Sequence, residues 1–192
     1  MKKVLLAAAL MISSVAAFAQ HAVGTVTIQP KVGLNIANWT DNGSDARIGF
    51  AAGAEFEYQA GDIFSITAGT LYSQQGYKNT VSGVTRTQKL DYINVPIMAN
   101  VYVVEGLAVK LGVQPGFKVN DDVVYKQGSQ SRTTNSLIEY NSVDFTIPVG
   151  VSYEFNNVVL DARYNWGLTN VAKNIDSKNS VFQFTVGYKF AL

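Results

Sequence analysis

Ten charged side chains recur at matched positions along six of eight alternating stretches of this 192-residue chain, and any chemistry would have to come from them. Lys31, Glu55, Glu57, Lys110, Lys118, Asp144, Glu154, Asp161, Arg163 and Lys189 all occupy the polar parity of their stretch, five basic and five acidic. Glu55 and Glu57 share one face and could in principle act as an acid and base pair, but the balance of signs favours ion pairing between neighbouring strands. The single histidine, His21, lies near the N-terminus, and cysteine is absent. Ser-His-Asp or Cys-His catalysis and a His or Cys metal site therefore find no support. Asp121-Asp122 lacks a third ordered ligand and reads as a solvated loop. Glycine-rich nucleotide loops are absent too, so the expectation is a non-enzymatic protein without a cofactor. Its charges are expected to form an ion-pair network, either structural or lining a permeation path.

The elements that must position these groups are β-strands. From Leu107 to Val119, Leu107, Val109, Leu111, Val113, Phe117 and Val119 share one parity, while Lys110, Gly112, Gln114, Gly116 and Lys118 share the other. That alternation gives a strand one apolar and one polar face. Its length exceeds the usual globular strand and suits a tilted transmembrane one. Seven further stretches repeat the pattern: 25–37, 48–59, 63–75, 92–103, 142–155, 158–168 and 182–190. Polar segments at 39–46, 76–87, 121–139 and 170–179 alternate with tight turns at Ala60-Gly61-Asp62, Glu105-Gly106 and Asn156-Asn157. The expected fold is all-β: an eight-stranded antiparallel up-and-down transmembrane β-barrel, with short turns on the periplasmic side and long loops outside.

Desolvation decides which parity faces lipid. The apolar parity carries no charge in the central spans, and a basic group at the bilayer midplane of a barrel costs about 2–4 kcal/mol. The ten charges are therefore expected inside, filling a lumen just wide enough for side chains. Glycines on the same parity, Gly33, Gly53, Gly69, Gly112, Gly116, Gly150, Gly167 and Gly187, relieve crowding there. Trp39, Tyr58, Phe64, Tyr72, Phe117, Tyr153, Phe155, Trp166, Tyr188 and Phe190 are expected in two interfacial girdles. All four prolines (Pro30, Pro96, Pro115 and Pro148) fall inside strands, so bulges or water-satisfied partners are expected at some of them, with Pro115 the place in its strand where the ladder fails.

Met1-Lys2-Lys3, an apolar run to Val15 and Ala17-Phe18-Ala19 predict a cleaved signal peptide over 1–19, leaving the barrel domain as 20–192. Loss of Lys2 and Lys3 takes the formal net charge from +1 to −1, so no basic field draws the chain to nucleic acid. A 47% hydrophobic composition fits a soluble protein and a membrane barrel equally, because a barrel averages its lipid and lumen faces.

Four segments carry a family resemblance: Gly33-Leu34-Asn35-Ile36, Leu71-Tyr72-Ser73-Gln74-Gln75-Gly76, Tyr92-Ile93-Asn94-Val95-Pro96, and Ala162-Arg163-Tyr164-Asn165-Trp166-Gly167-Leu168-Thr169-Asn170. In that order they resemble the PorT-like outer-membrane barrels typical of Bacteroidetes-type bacteria. Gly69 stands where that family usually has an acidic residue, and Asn100 where it commonly has lysine. The resemblance implies a Gram-negative outer-membrane location. A monomer in contact with outer-membrane lipid is expected, with other envelope or secretion proteins as partners through the loops. Three functions remain open: a structural anchor or surface-interaction protein, a small-solute channel, or a soluble periplasmic barrel that binds a ligand. The last needs the apolar parity to face inward.

Overall fold

The computed structural model describes residues 22–40, 43–136, 138–173 and 175–192. His21 and the leader predicted over 1–19 lie outside them. Twelve strands follow in order: β1 Val26–Trp39, β2 Asp45–Gly61, β3 Phe64–Val81, β4 Val84–Asn94, β5 Ile97–Val104, β6 Leu107–Asn120, β7 Asp122–Gln127, β8 Gln130–Asn135, β9 Val143–Phe155, β10 Val158–Ala172, β11 Ile175–Tyr188 and β12 Phe190–Ala191. They make eight staves. β4 and β5 form one, interrupted at Val95-Pro96, and β11 and β12 form another, interrupted at Lys189. Each stave pairs antiparallel with the next, and β1 closes the ring by pairing with both β2 and β11.

Alternation places the faces. Leu34, Ile48, Phe56, Leu111, Phe145, Leu160 and Phe184 are exposed on the outside, while nine of the ten charged positions are buried inside. The charged parity faces inward and the apolar parity outward, the reverse of what a soluble ligand-binding barrel requires. Tyr58, Tyr153, Phe155, Tyr188 and Phe190 are exposed near the short turns, and Phe117 and Trp166 toward the opposite end. Trp39 is a correction: it is buried at 5% exposure rather than set in a girdle.

The register shifts fall at other positions, and at the prolines none occurs. The ladders lapse there without slipping. Pro96 and Pro115 flank the gap between β4 and β5, where the Val95 amide still donates to the Pro115 carbonyl at 2.8 Å. Pro30 lies opposite the break between β11 and β12. Pro148 lies where the β6–β9 ladder skips Gly112 and Val113. A proline removes one donor, and the pairing on either side holds the register.

The polar segments are also more regular than expected. Segment 76–87 continues β3 and β4 as a long hairpin turning at Ser82-Gly83, and 170–179 extends β10 and β11. Segment 121–139 contains the β7–β8 hairpin, and β7 pairs with the outer half of β4. Together β3, β4, β7 and β8 make a four-stranded sheet standing above the barrel on the long-connection side.

Candidate functional site

Eight of the ten predicted charges come together in two clusters on the barrel axis. In the central one, Arg163 of β10 reaches both carboxylates: Nη1 donates to Glu55 Oε1 at 3.0 Å and Nε to Asp161 Oδ1 at 2.8 Å. Lys31 donates to Glu55 at 2.7 Å, and Lys110 to Asp161 at 2.7 Å. Lys31 also lies 3.7 Å from Asp161 and Lys110 4.0 Å from Glu55. Four staves thus supply three cations and two anions, all but shut off from solvent. Gly69 pairs with Glu55 across β2–β3, and a Cβ there would run into the Ala54 carbonyl oxygen and the Glu55 Cα and Cγ, so its missing side chain lets β3 approach β2 closely beside Glu55.

The second cluster sits nearer the short turns. Lys189 bridges Glu57 at 2.8 Å and Glu154 at 2.7 Å, and its Nζ also donates to the Tyr102 hydroxyl at 3.3 Å. Glu57 further accepts from Ser65 Oγ at 2.6 Å and from the Tyr102 hydroxyl, and Asn100 donates to Ser65 at 2.9 Å. Asn100, where a lysine is common among the barrels this sequence resembles, here supports the Glu57 site through Ser65. The second cluster holds one cation and two anions, so the charges of the two clusters cancel. Buried charges are tolerated only when paired and hydrogen-bonded, and these are.

Two predicted residues stand apart. Lys118 lies at the outer rim, donating to Asp121 at 2.6 Å and to the Tyr140 carbonyl at 3.3 Å. Asp144 meets no cation among the described residues; it accepts from Thr169 Oγ1 at 2.7 Å and Asn179 Nδ2 at 2.9 Å.

Sequence reading missed the apolar closure of the outer end. Trp39, Tyr77, Leu90, Tyr92, Tyr140, Val171 and Ala172 form one buried cluster, with Ile138 and Ile175 against it. The Trp39 ring lies 4.5 Å from that of Tyr77 and 5.8 Å from that of Tyr140. Tyr140 comes from the segment after β8, tied to β10 by a bridge to Ala172. Burial pushes its phenol up from the ordinary value. Beneath it, Asn179 of β11 donates to the Tyr92 hydroxyl of β4 at 3.4 Å, joining opposite staves. Trp39 shares its parity with Lys31 and Asn35, so alternation carried the signal. Arg47 was missed as well: it donates to the Gln75 carbonyl and lies 3.5 Å from Asp91. It is one step beyond the predicted start of its strand, on the inward parity.

The family described as outer membrane protein beta-barrel domain matches residues 18–173. Among solved structures, the Neisserial surface protein A aligns with a TM-score of 0.53 at 18% identity, over 86% of this chain and 97% of its own. Ail, the attachment invasion locus protein of Yersinia pestis, aligns with a TM-score of 0.51 at 16% identity, over 88% of this chain and 99% of its own. At these identities the likeness is one of fold. No curated protein matches the chain.

Proposed function

The chain belongs to the outer-membrane β-barrel proteins of Gram-negative bacteria, and on that premise we propose that it is a sealed membrane anchor displaying an interaction surface outside the cell. The observation that carries this reading is the filling of the axis: two ion clusters stacked beneath an apolar closure, with opposite staves joined side chain to side chain. In such a barrel the ten predicted charges act structurally, and its carboxylates are held by cations, hydroxyls or amides rather than presented to a substrate. The barrel is then non-enzymatic and monomeric, its apolar face against lipid, and its partners, envelope or secretion proteins among them, meet the outer sheet. Within the family, the four ordered motifs support placement in the PorT-like branch. The predicted leader, 1–19, accords with export.

The competing reading is a small-solute channel, and planar-bilayer recording separates the two. The purified full chain should give no discrete openings at moderate voltage. Openings whose selectivity changes in Lys110→Gln would instead establish a permeation path through the central cluster.

A further inference from the structure

The mature chain is almost neutral, yet the outer sheet is strongly basic. Segments 77–89 and 123–135 contain Lys78, Arg86, Lys89, Lys126 and Arg132 and no acidic residue. Register sorts these charges between the two faces. Tyr77, Gln88 and Val123 are buried and continue the lumen-facing parity. Two residues further out on that same face, Asn79, Arg86, Tyr125 and Arg132 lie side by side on β3, β4, β7 and β8. Lys78 and Lys126 belong by register to the other face, which continues the lipid-facing parity; Lys126 also borders the hollow beside Arg132, and Lys78 lies opposite Asp45 of β2.

The axial face therefore carries two guanidiniums flanking an aromatic ring, that of Arg132 exposed and that of Arg86 half-buried, with Nη2 donating to Gln88 Oε1 at 3.4 Å. Tyr125 is 41% exposed, and hollows of about 300 and 420 Å³ lie to its two sides. The amides of Asn79, Gln127 and Gln130 border them. Guanidinium forks recognise carboxylates bidentately, an exposed tyrosine ring packs against apolar sugar faces, and amides serve sugar hydroxyls. Arg86 and Arg132 are two strand spacings apart, about 10 Å. That interval matches acidic groups on alternate sugars of an extended polysaccharide. Because the row faces the barrel axis and not the surrounding lipid, its ligand arrives from the external medium rather than from neighbouring headgroups.

We propose that this axial face is a binding site for an acidic polysaccharide bearing a carboxylate on alternate sugars. The inference rests on the reading of the barrel as a surface anchor, which the conductance recording tests separately. Its own test is fluorescence polarisation of a labelled hyaluronan octasaccharide with the full chain in nanodiscs. Saturable binding is expected, and loss of binding when the carboxylates are methyl-esterified. Arg132→Gln, on an exposed edge strand where folding is not at risk, should weaken binding at least about tenfold. Tyr125→Leu should weaken it too, and Lys78→Gln, on the opposite face, should leave it unchanged. Equal binding of the esterified sugar, indifference to Arg132→Gln, equal loss in Lys78→Gln, or equally tight binding of polyphosphate would overturn the assignment.

Discussion

Arg163 is the residue on which the central cluster turns, because it alone bonds to both Glu55 and Asp161 by multiple contacts. Replacing it with Gln leaves two buried carboxylates sharing Lys31 and Lys110, and breaking a buried pair in this way costs about 3–5 kcal/mol. Urea unfolding in micelles should show that loss, whereas Lys173→Gln, whose partner Glu139 is 80% exposed, should change stability by less than about 1 kcal/mol. Trp39→Ala removes the ring at the centre of the outer closure and should cost about 3–5 kcal/mol in the same assay. Much of this scale was readable beforehand, since parity alone put Glu55, Asp161 and Arg163 on one face. Parity could not find Asp91, because the register shift between Asp91 and Tyr92 breaks the alternation just where its carboxylate approaches Arg47. Nor could it separate Lys118 and Asp144 from the clusters, since it says which way a side chain points and nothing of how far along the axis its partner lies.

At the scale of elements, the closing seam between β1 and β11 depends on Gly33, where an added Cβ would run into the Phe184 carbonyl oxygen. Gly33→Ala must push the two strands apart, so it should lower the folded yield and cost more than about 1 kcal/mol. Gly61→Ala, with nothing within 4 Å, should fold normally, and electrophoretic heat-modifiability reports both. The strand count and the short turns were evident from apolar alternation. The outer halves of β3 and β4 and the β7–β8 hairpin were not, because most of their length lies beyond the barrel, where no apolar stripe marks one face. What holds them is the backbone ladder, which any side chain permits; the β-branched run Thr80, Val81, Val84, Thr85 and Thr87 was the one hint. Since among the described residues the β7–β8 hairpin pairs with the sheet only through β4, excising residues 122–135 should leave the barrel folded and abolish the proposed polysaccharide binding together.

For the whole molecule, the same inward parity that neutralises charge inside the membrane presents Arg86 and Arg132 above it, so one alternation rule builds both the seal and the display surface. In the proposed reading, a barrel closed by ion clusters and an aromatic cap spends its interior on stability and leaves interaction to the outer sheet. Fold and location followed from the sequence because lipid imposes a strict pattern on every strand; the role of the outer sheet did not, because water imposes none. The central claim is a sealed barrel with this sheet outside the cell, and the absence of cysteine makes it directly measurable. Single-cysteine variants at Arg132, in β8, and at Glu105, in a short turn, can be labelled on intact cells with a membrane-impermeant maleimide. Arg132→Cys should react at once and Glu105→Cys only after the outer membrane is opened. Rapid labelling of Glu105→Cys from outside, by way of an open lumen or an inverted barrel, would contradict the account.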